Sequence, residues 1–258
     1  MLAYFKVELS EPMWTFLAPF ASSKLFYQRA GVYAPWLGWF ALLLLVMGCV
    51  WGLVFAPADY QQGEAFRMLY VHVPTAFLSM TLYATMGALS LSLLVWRIKL
   101  AGVLLAAIAP VGASMALLAL ITGSLWGKPM WGAWWIWDAR LTSELVLLLL
   151  YLAILVTQHA YAHNKEQGDK LVAMLSLVGL IDLPIIHYSV DWWNTLHQGS
   201  SLSVFSKPSI EASMLYPLLI MLIGFTLFSG FIILSKARVM ILKRERRQQW
   251  VRKLVEGL

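Results

Sequence analysis

The sequence predicts an all-α integral membrane protein with six transmembrane helices and a tryptophan-rich loop on one face. Three observations predict it. The 258-residue chain is 60% hydrophobic and only 12% charged, against about 25% charged in an average soluble domain. Its charges fall in short stretches between apolar runs instead of lining one polar face. Those runs are long enough to cross a hydrocarbon core, which takes roughly 20 apolar residues of helix.

The first run, residues 30–58, begins too late and is too long for a cleaved signal peptide; it predicts a span over 34–57. Before it, Trp14, Phe16, Leu17, Phe20, Leu25 and Phe26 form either an amphipathic stretch on the membrane or a disordered, partly apolar tail. Residues 68–96 and 100–127 contain no Asp, Glu, Lys or Arg and predict spans over 73–96 and 101–125. Residues 145–164 and 212–235 predict spans over 142–162 and 214–236. The segment 171–187 is interrupted only by Asp182. Without it the crossings would be odd in number and basic loops would fall on both faces, so it counts as the fifth of six. The whole chain reads as one six-helix membrane domain, with the tryptophan-rich loop at 126–141.

Orientation follows from the lysines and arginines. With the N-terminus cytoplasmic, fifteen of the nineteen fall inside; only Arg67, Lys128, Arg140 and Lys207 lie outside. Both termini are then cytoplasmic, and the basic tail over 236–253 anchors the last helix to anionic membrane lipid. This placement also disposes of nucleic acid as a partner for the net charge of +6. The cytoplasmic turns are short and no GxxxxGK[ST] loop occurs, so the chain alone does not hydrolyse ATP. Its one cysteine, Cys49, excludes an internal disulfide, a CxxC pair and a cysteine metal cluster. The external segments 57–71, 126–141 and 187–213 are where function should lie.

Five of thirteen tryptophans, Trp126, Trp131, Trp134, Trp135 and Trp137, fall within residues 126–138. Adding Trp192 and Trp193 puts seven on the external side. An aromatic belt alone would place one or two at each helix end on both faces. A patch this dense offers flat apolar surface with indole N–H donors at its edge, suited to a planar macrocycle with a charged rim.

His72 precedes Pro74 at the start of the second span, and His187 closes the fifth. Either is an ordinary interfacial residue, or the pair supplies axial ligands to haem iron from two sides. His197 is also external and is an alternative to His187, though it lies ten residues further into a loop. His159 and His163 share one face of a regular helix and could clip a metal, but no acidic or cysteine partner completes that site. Arg67, Lys128 and Arg140 are candidate partners for carboxylates such as haem propionates, or simply interfacial cations. Asp138 could cap the fourth helix. Glu144 and Asp182 are acids within or near spans, a placement that is often functional.

The segment 131–138 carries the WGxWWxWD signature of the haem-handling proteins of cytochrome c biogenesis. The stretches 55–63, 123–130 and 183–199 resemble the CcmC family in particular, and the likeness covers all six helices. The resemblance implies a bacterial inner-membrane protein with its tryptophan loop in the periplasm. It implies haem b held between His72 and His187 beneath that loop, with Asp138 part of the motif. It also implies partnership with the haem chaperone CcmE, to which haem becomes covalently attached, and with CcmA, CcmB and CcmD. In that scheme an ATP-driven complex containing CcmA and CcmB releases the loaded chaperone. The expected function is non-enzymatic: presentation of haem to CcmE during c-type cytochrome biogenesis. A transporter moving haem or another flat amphiphile across the bilayer is the alternative. A haem lyase acting on apocytochrome is a third, disfavoured because the longest external segment has only about 27 residues.

Overall fold

The computed structural model describes residues 22–197 and 210–256. The stretch holding Trp14, Phe16, Leu17 and Phe20, and also Lys207, lie outside the described residues. Among the described residues six helical stretches are long and apolar enough to cross a membrane: Ser23–Phe55, Glu64–Trp96, Lys99–Trp131, Ala139–Ala160, Lys165–Trp192 and Ala212–Arg244. The chain is therefore an all-α, multi-pass membrane protein. Most of these stretches exceed their expected spans, because a helix with no breaker at the membrane edge simply continues into the headgroup layer. Each 33-residue stretch is about 50 Å long at helical rise, against a hydrocarbon core of about 30 Å.

Helix α1 (Ser23–Val50) starts at Ser22, whose hydroxyl accepts from Leu25 N–H at 3.3 Å, and ends in a wider π turn, Trp51–Phe55. Leu25 and Phe26 thus belong to the first spanning helix. A short 3-10 turn, Glu64–Met68, leads into α2 (Leu69–Trp96), where Pro74 sits in the second turn. Helix α3 (Lys99–Trp131) follows after a two-residue corner in which Arg97 adopts a left-handed conformation. Helix α4 (Ala139–Ala160) is capped by Asp138. The fifth span is broken in two: α5 (Lys165–Val178), a 3-10 turn at Gly179–Ile181, then α6 (Asp182–Trp192). Helix α7 (Ala212–Arg244) is the last span, and α8 (Gln249–Glu256) is a short amphipathic coda.

Two expectations change here. The tryptophan-rich segment is helical as far as Trp131, so the non-helical stretch is only 132–138. The helix stops where Gly132 takes φ +74° and its N–H returns to the Lys128 carbonyl at 3.1 Å, a left-handed terminator natural to glycine. The His159–His163 clip does not form, because α4 ends at Ala160 and His163 lies in the turn beyond. Among the described residues no group of three or more His, Cys, Asp or Glu is placed to hold a metal.

Helix α3 is the axis of the bundle, packed against α2, α4, α5 and α7. Its alanines and glycines let those neighbours come close, the usual solution where lipid removes the hydrophobic drive between helices. A Cβ on Gly112 would stand 2.2 Å from Cζ of Tyr151, so the tyrosine ring occupies that space. Tyr151 meets Tyr83 edge-on at 5.0 Å and donates to the Ser79 carbonyl at 2.7 Å. The Ser79 hydroxyl donates at 2.8 Å to Glu144, which is buried along with Asp182. Helix α1 is the outlier, attached chiefly to α7 through small residues such as Gly48 beneath Met221. At the opposite end from the tryptophans, Arg244 bridges α7 to Asp169 of α5 in a two-pronged ion pair, with its Nη2 2.9 Å from Oδ1.

Candidate functional site

The tryptophan end of the bundle is built from the 59–68 turn, the first turns of α2, the last turns of α3, the 132–138 strap and the segment after α6. Asp59 opens this side: its carboxylate accepts from the N–H groups of Gln61 and Gln62 at 2.9 and 2.8 Å. Gly63 then takes φ 56°, ψ −138°, a conformation open essentially to glycine. The tight turn delivers Gln62, whose Oε1 accepts from the Trp126 indole N–H at 2.9 Å. Phe66 and Trp126 meet edge-on at 6.3 Å. Trp126 is thereby clamped from two sides.

Clamped in that way, Trp126 presents its ring to His72, edge-on at 5.7 Å. The other side of His72 is held by α3. Its Nδ1 lies 3.0 Å from the Ala119 carbonyl and 3.2 Å from the Thr122 hydroxyl. A carbonyl oxygen can only accept, so Nδ1 carries the proton and Nε2 is left with its lone pair. That arrangement, a backbone acceptor fixing the tautomer and freeing the other nitrogen, is the second-shell pattern of metal-binding histidines.

The ring facing His72 is that of His197. Their centroids are 6.0 Å apart with planes inclined by 25°. Trp131 meets His197 edge-on at 5.7 Å. Burial, together with the neighbouring His72 and the Arg140 guanidinium, pushes His197 down to about 4, against an opposing pull from Asp138. The ring is neutral at physiological pH, as a ligand must be.

His187 is elsewhere. It is exposed and packs edge-on against Tyr188 at 4.7 Å, and Tyr188 stacks on Trp192 at 5.3 Å. The reason is helical phase: Asp182, Ile186 and Ser189 are the buried positions of α6, which turns His187 and Tyr188 outward. The expected His72–His187 pairing is replaced by His72–His197. Sequence distance misled, since α6 runs on to Trp192 and only the five residues after it bring His197 opposite His72.

The three candidate cations are all engaged. Arg67 pairs with Glu64 and donates from Nη1 to the Gly52 carbonyl at 2.6 Å, tying the 64–68 turn to α1. Lys128 donates to the Gly132 carbonyl at 2.9 Å and lies 5.9 Å from the centre of the Trp134 ring. Arg140 donates to the Ile186 carbonyl at 2.8 Å, and of the three it is the one whose charge reaches both imidazoles. The tryptophans divide. Trp126 and Trp131 flank the imidazole pair, while Trp134 and Trp137 are 56% and 76% exposed and form an outer rim. Trp135 packs edge-on with Trp137 at 5.4 Å, and its buried indole N–H has no partner among the described residues.

Two imidazoles at this separation could share one metal ion. A metal–imidazole bond of about 2 Å plus about 1 Å from nitrogen to ring centre, on each side, gives about 6 Å. The 6.0 Å separation, the free Nε2 of His72 and the indole surround fit a haem. Gln62, Thr122, Gly123 and Thr195 complete the surround and escaped the sequence reading. The sequence reading gives none of the four a role, although the stretches 55–63, 123–130 and 183–199 take in all but Thr122.

Fold and site together define a multi-pass membrane protein with a paired-imidazole, tryptophan-lined site at one membrane face. The sequence profile of the CcmC family, heme exporter protein C, matches residues 16–252. Heme exporter protein C of Haemophilus influenzae is 46% identical over 246 residues, 95% of this chain and 100% of that protein. The Escherichia coli (strain K12) protein of the same name is 47% identical over 243 residues, 94% of this chain and 98% of its own length. A putative cytochrome c biosynthesis ccmC-like mitochondrial protein of Marchantia polymorpha is 40% identical over 204 residues, 79% of this chain and 85% of its own. The chain belongs to the heme exporter protein C family.

Proposed function

We propose that this protein holds haem between His72 and His197 and presents it, at the periplasmic face of the bacterial inner membrane, to the haem chaperone CcmE. The observation carrying the proposal is the 6.0 Å His72–His197 pair, with Nδ1 of His72 tied to the Ala119 carbonyl. The family name and its place in cytochrome c maturation support haem as the ligand. The lysine and arginine bias supports the tryptophan face as periplasmic, with both termini cytoplasmic.

Haem, when bound, would supply an iron that accepts nitrogen ligands and two propionates that need cations or N–H donors. The chain does the rest. His72 and His197 grip the metal in neutral form. Trp126 and Trp131 exclude water from the two imidazoles. Arg140 is the cation placed for a propionate. Lys128 and Arg67 stay with their own carbonyl and carboxylate partners. Trp134 and Trp137 leave an apolar rim on which a chaperone can dock to take haem by its exposed edge, with CcmA, CcmB and CcmD acting on the loaded chaperone. The proposed role is to hold and present haem, and no residue is assigned to bond-making.

Below the site the bundle is filled by Tyr83, Met86, Leu105, Leu147 and Tyr151, each under 2% exposed, which favours presentation at one face over passage through the bundle.

The visible spectrum of the detergent-purified chain tests this. A low-spin, bis-imidazole spectrum is expected for the parent and for His187→Ala. His72→Ala and His197→Ala should each lose it. A parent-like spectrum in either of those variants would overturn the assignment.

A further inference from the structure

The carboxylate at the end of the tryptophan strap has two oxygens in use, and only one of them is explained by helix capping. Asp138 Oδ1 accepts from Leu141 N–H at 2.8 Å and starts α4. A serine or asparagine would cap as well. The second oxygen, Oδ2, accepts from the hydroxyl of Thr195, which lies beyond the end of α6. Thr195 Oγ1 in turn accepts from the backbone N–H of His197 at 3.1 Å.

The chain leaves α6 at Trp193 in extended conformation, φ −131° and ψ 156°. Among the described residues no helical ladder positions His197 from there. The described hydrogen bonds anchoring its backbone run through Thr195 to Asp138, and so to the rigid first turn of α4.

We propose that Asp138 and Thr195 form a clamp that sets His197 opposite His72. Asp138 is then a positioning residue acting through Thr195, and it does not itself contact the ligand. The proposal deepens the His72–His197 reading and rests on it. It explains why the strap ends in aspartate: one side chain must accept two hydrogen bonds at once, from the helix start and from the ligand-bearing segment. Asparagine has one acceptor atom in place of two, because its second terminal atom is a donor, so it could not accept from both directions. The clamp also couples the strap to the ligand. A partner that shifts the 132–138 segment would pull on Asp138, and through Thr195 on His197.

Thr195→Val removes the hydroxyl, keeps the shape and leaves the α4 cap untouched. In the full-length protein it should keep parental helicity and melting temperature. Its haem complex should turn partly five-coordinate and lose haem about tenfold faster, the scale expected for one or two lost hydrogen bonds. Added imidazole should restore the low-spin spectrum, and Thr195→Ser should behave as the parent. In the haem-free protein, amide exchange at His197 should rise about tenfold in Thr195→Val, a readout independent of ligand. Parental exchange and a parental spectrum in Thr195→Val would overturn the clamp. His197→Ala, run alongside, separates the two ideas. If it keeps the low-spin spectrum, the ligand assignment has failed; if it loses that spectrum while Thr195→Val does not, only the clamp has.

Discussion

A Cβ added to Gly123 would stand 3.0 Å from Cε1 of His72. The α3 backbone thus passes directly beneath the imidazole, close enough for Ala119 and Thr122 to fix its orientation. Nothing larger than glycine fits there without moving the ring. Gly123→Ala should lower haem occupancy slightly, because a shift of a few tenths of an ångström accommodates it. Gly123→Val should displace His72 and reduce occupancy severalfold, with helicity unchanged. Pyridine haemochrome per mole of purified protein measures both.

Trp126 offers two separable contributions, its ring against His72 and its N–H to Gln62. Trp126→Phe keeps most of the ring and loses the hydrogen bond, a loss of about 1 kcal/mol. Trp126→Ala loses both and opens the imidazole to water. Haem titration should give a weaker Kd by about fivefold for phenylalanine and by well over tenfold for alanine. Equal affinities for the two variants would mean that the indole surface does not seal the site.

His197 titrates near 4 when buried, against about 6.5 for a free imidazole. The sign follows from which form the fold favours: the depressed value favours the neutral ring, so the site is intact above about 6.5 and is lost as pH falls through about 4. At pH 5 a free imidazole is about 3% neutral, whereas this one stays about 90% neutral. In the haem-free protein the His197 ring, followed by NMR, should therefore stay neutral at pH 5 and take up its proton near pH 4. A midpoint at 6 or above would show that His197 is solvated.

Trp134 and Trp137 form the exposed rim. The double variant Trp134→Ala, Trp137→Ala should bind haem with a parental spectrum yet transfer less of it to CcmE. Covalent haem on the chaperone, followed by haem stain, reads this directly. Loss of the spectrum instead would place the rim in the haem pocket itself.

Asp169 and Arg244 pair across the end of the bundle remote from the site, each about one-fifth exposed. Asp169→Ala leaves the guanidinium without its anion and should cost about 1–3 kcal/mol. Thermal unfolding in detergent should fall by several degrees while haem occupancy stays the same.

Lipid as solvent made most of the architecture legible in the residues alone. Each span announces itself by length and apolarity, because a backbone in hydrocarbon must close its hydrogen bonds within the segment. The same logic counted 171–187 as a crossing despite Asp182. It could not foresee that α3 runs on to Trp131, since a helix beyond the membrane edge is stopped by Gly132 and not by the end of an apolar run.

The site was legible only in part. Tryptophan density and the WGxWWxWD frame pointed to the end of the bundle where the His72–His197 pair lies, and Pro74 placed His72 at a helix start. The choice between His187 and His197 was another matter. It turns on which side of α6 faces the bundle, and on a bend held by Thr195 and Asp138, residues from segments far apart in the chain. The sequence by itself determined the membrane, the six spans and the aromatic face, because those follow from composition and period. Tertiary structure alone decided which imidazole meets His72, because that depends on helix phase and on a side-chain clamp between distant segments.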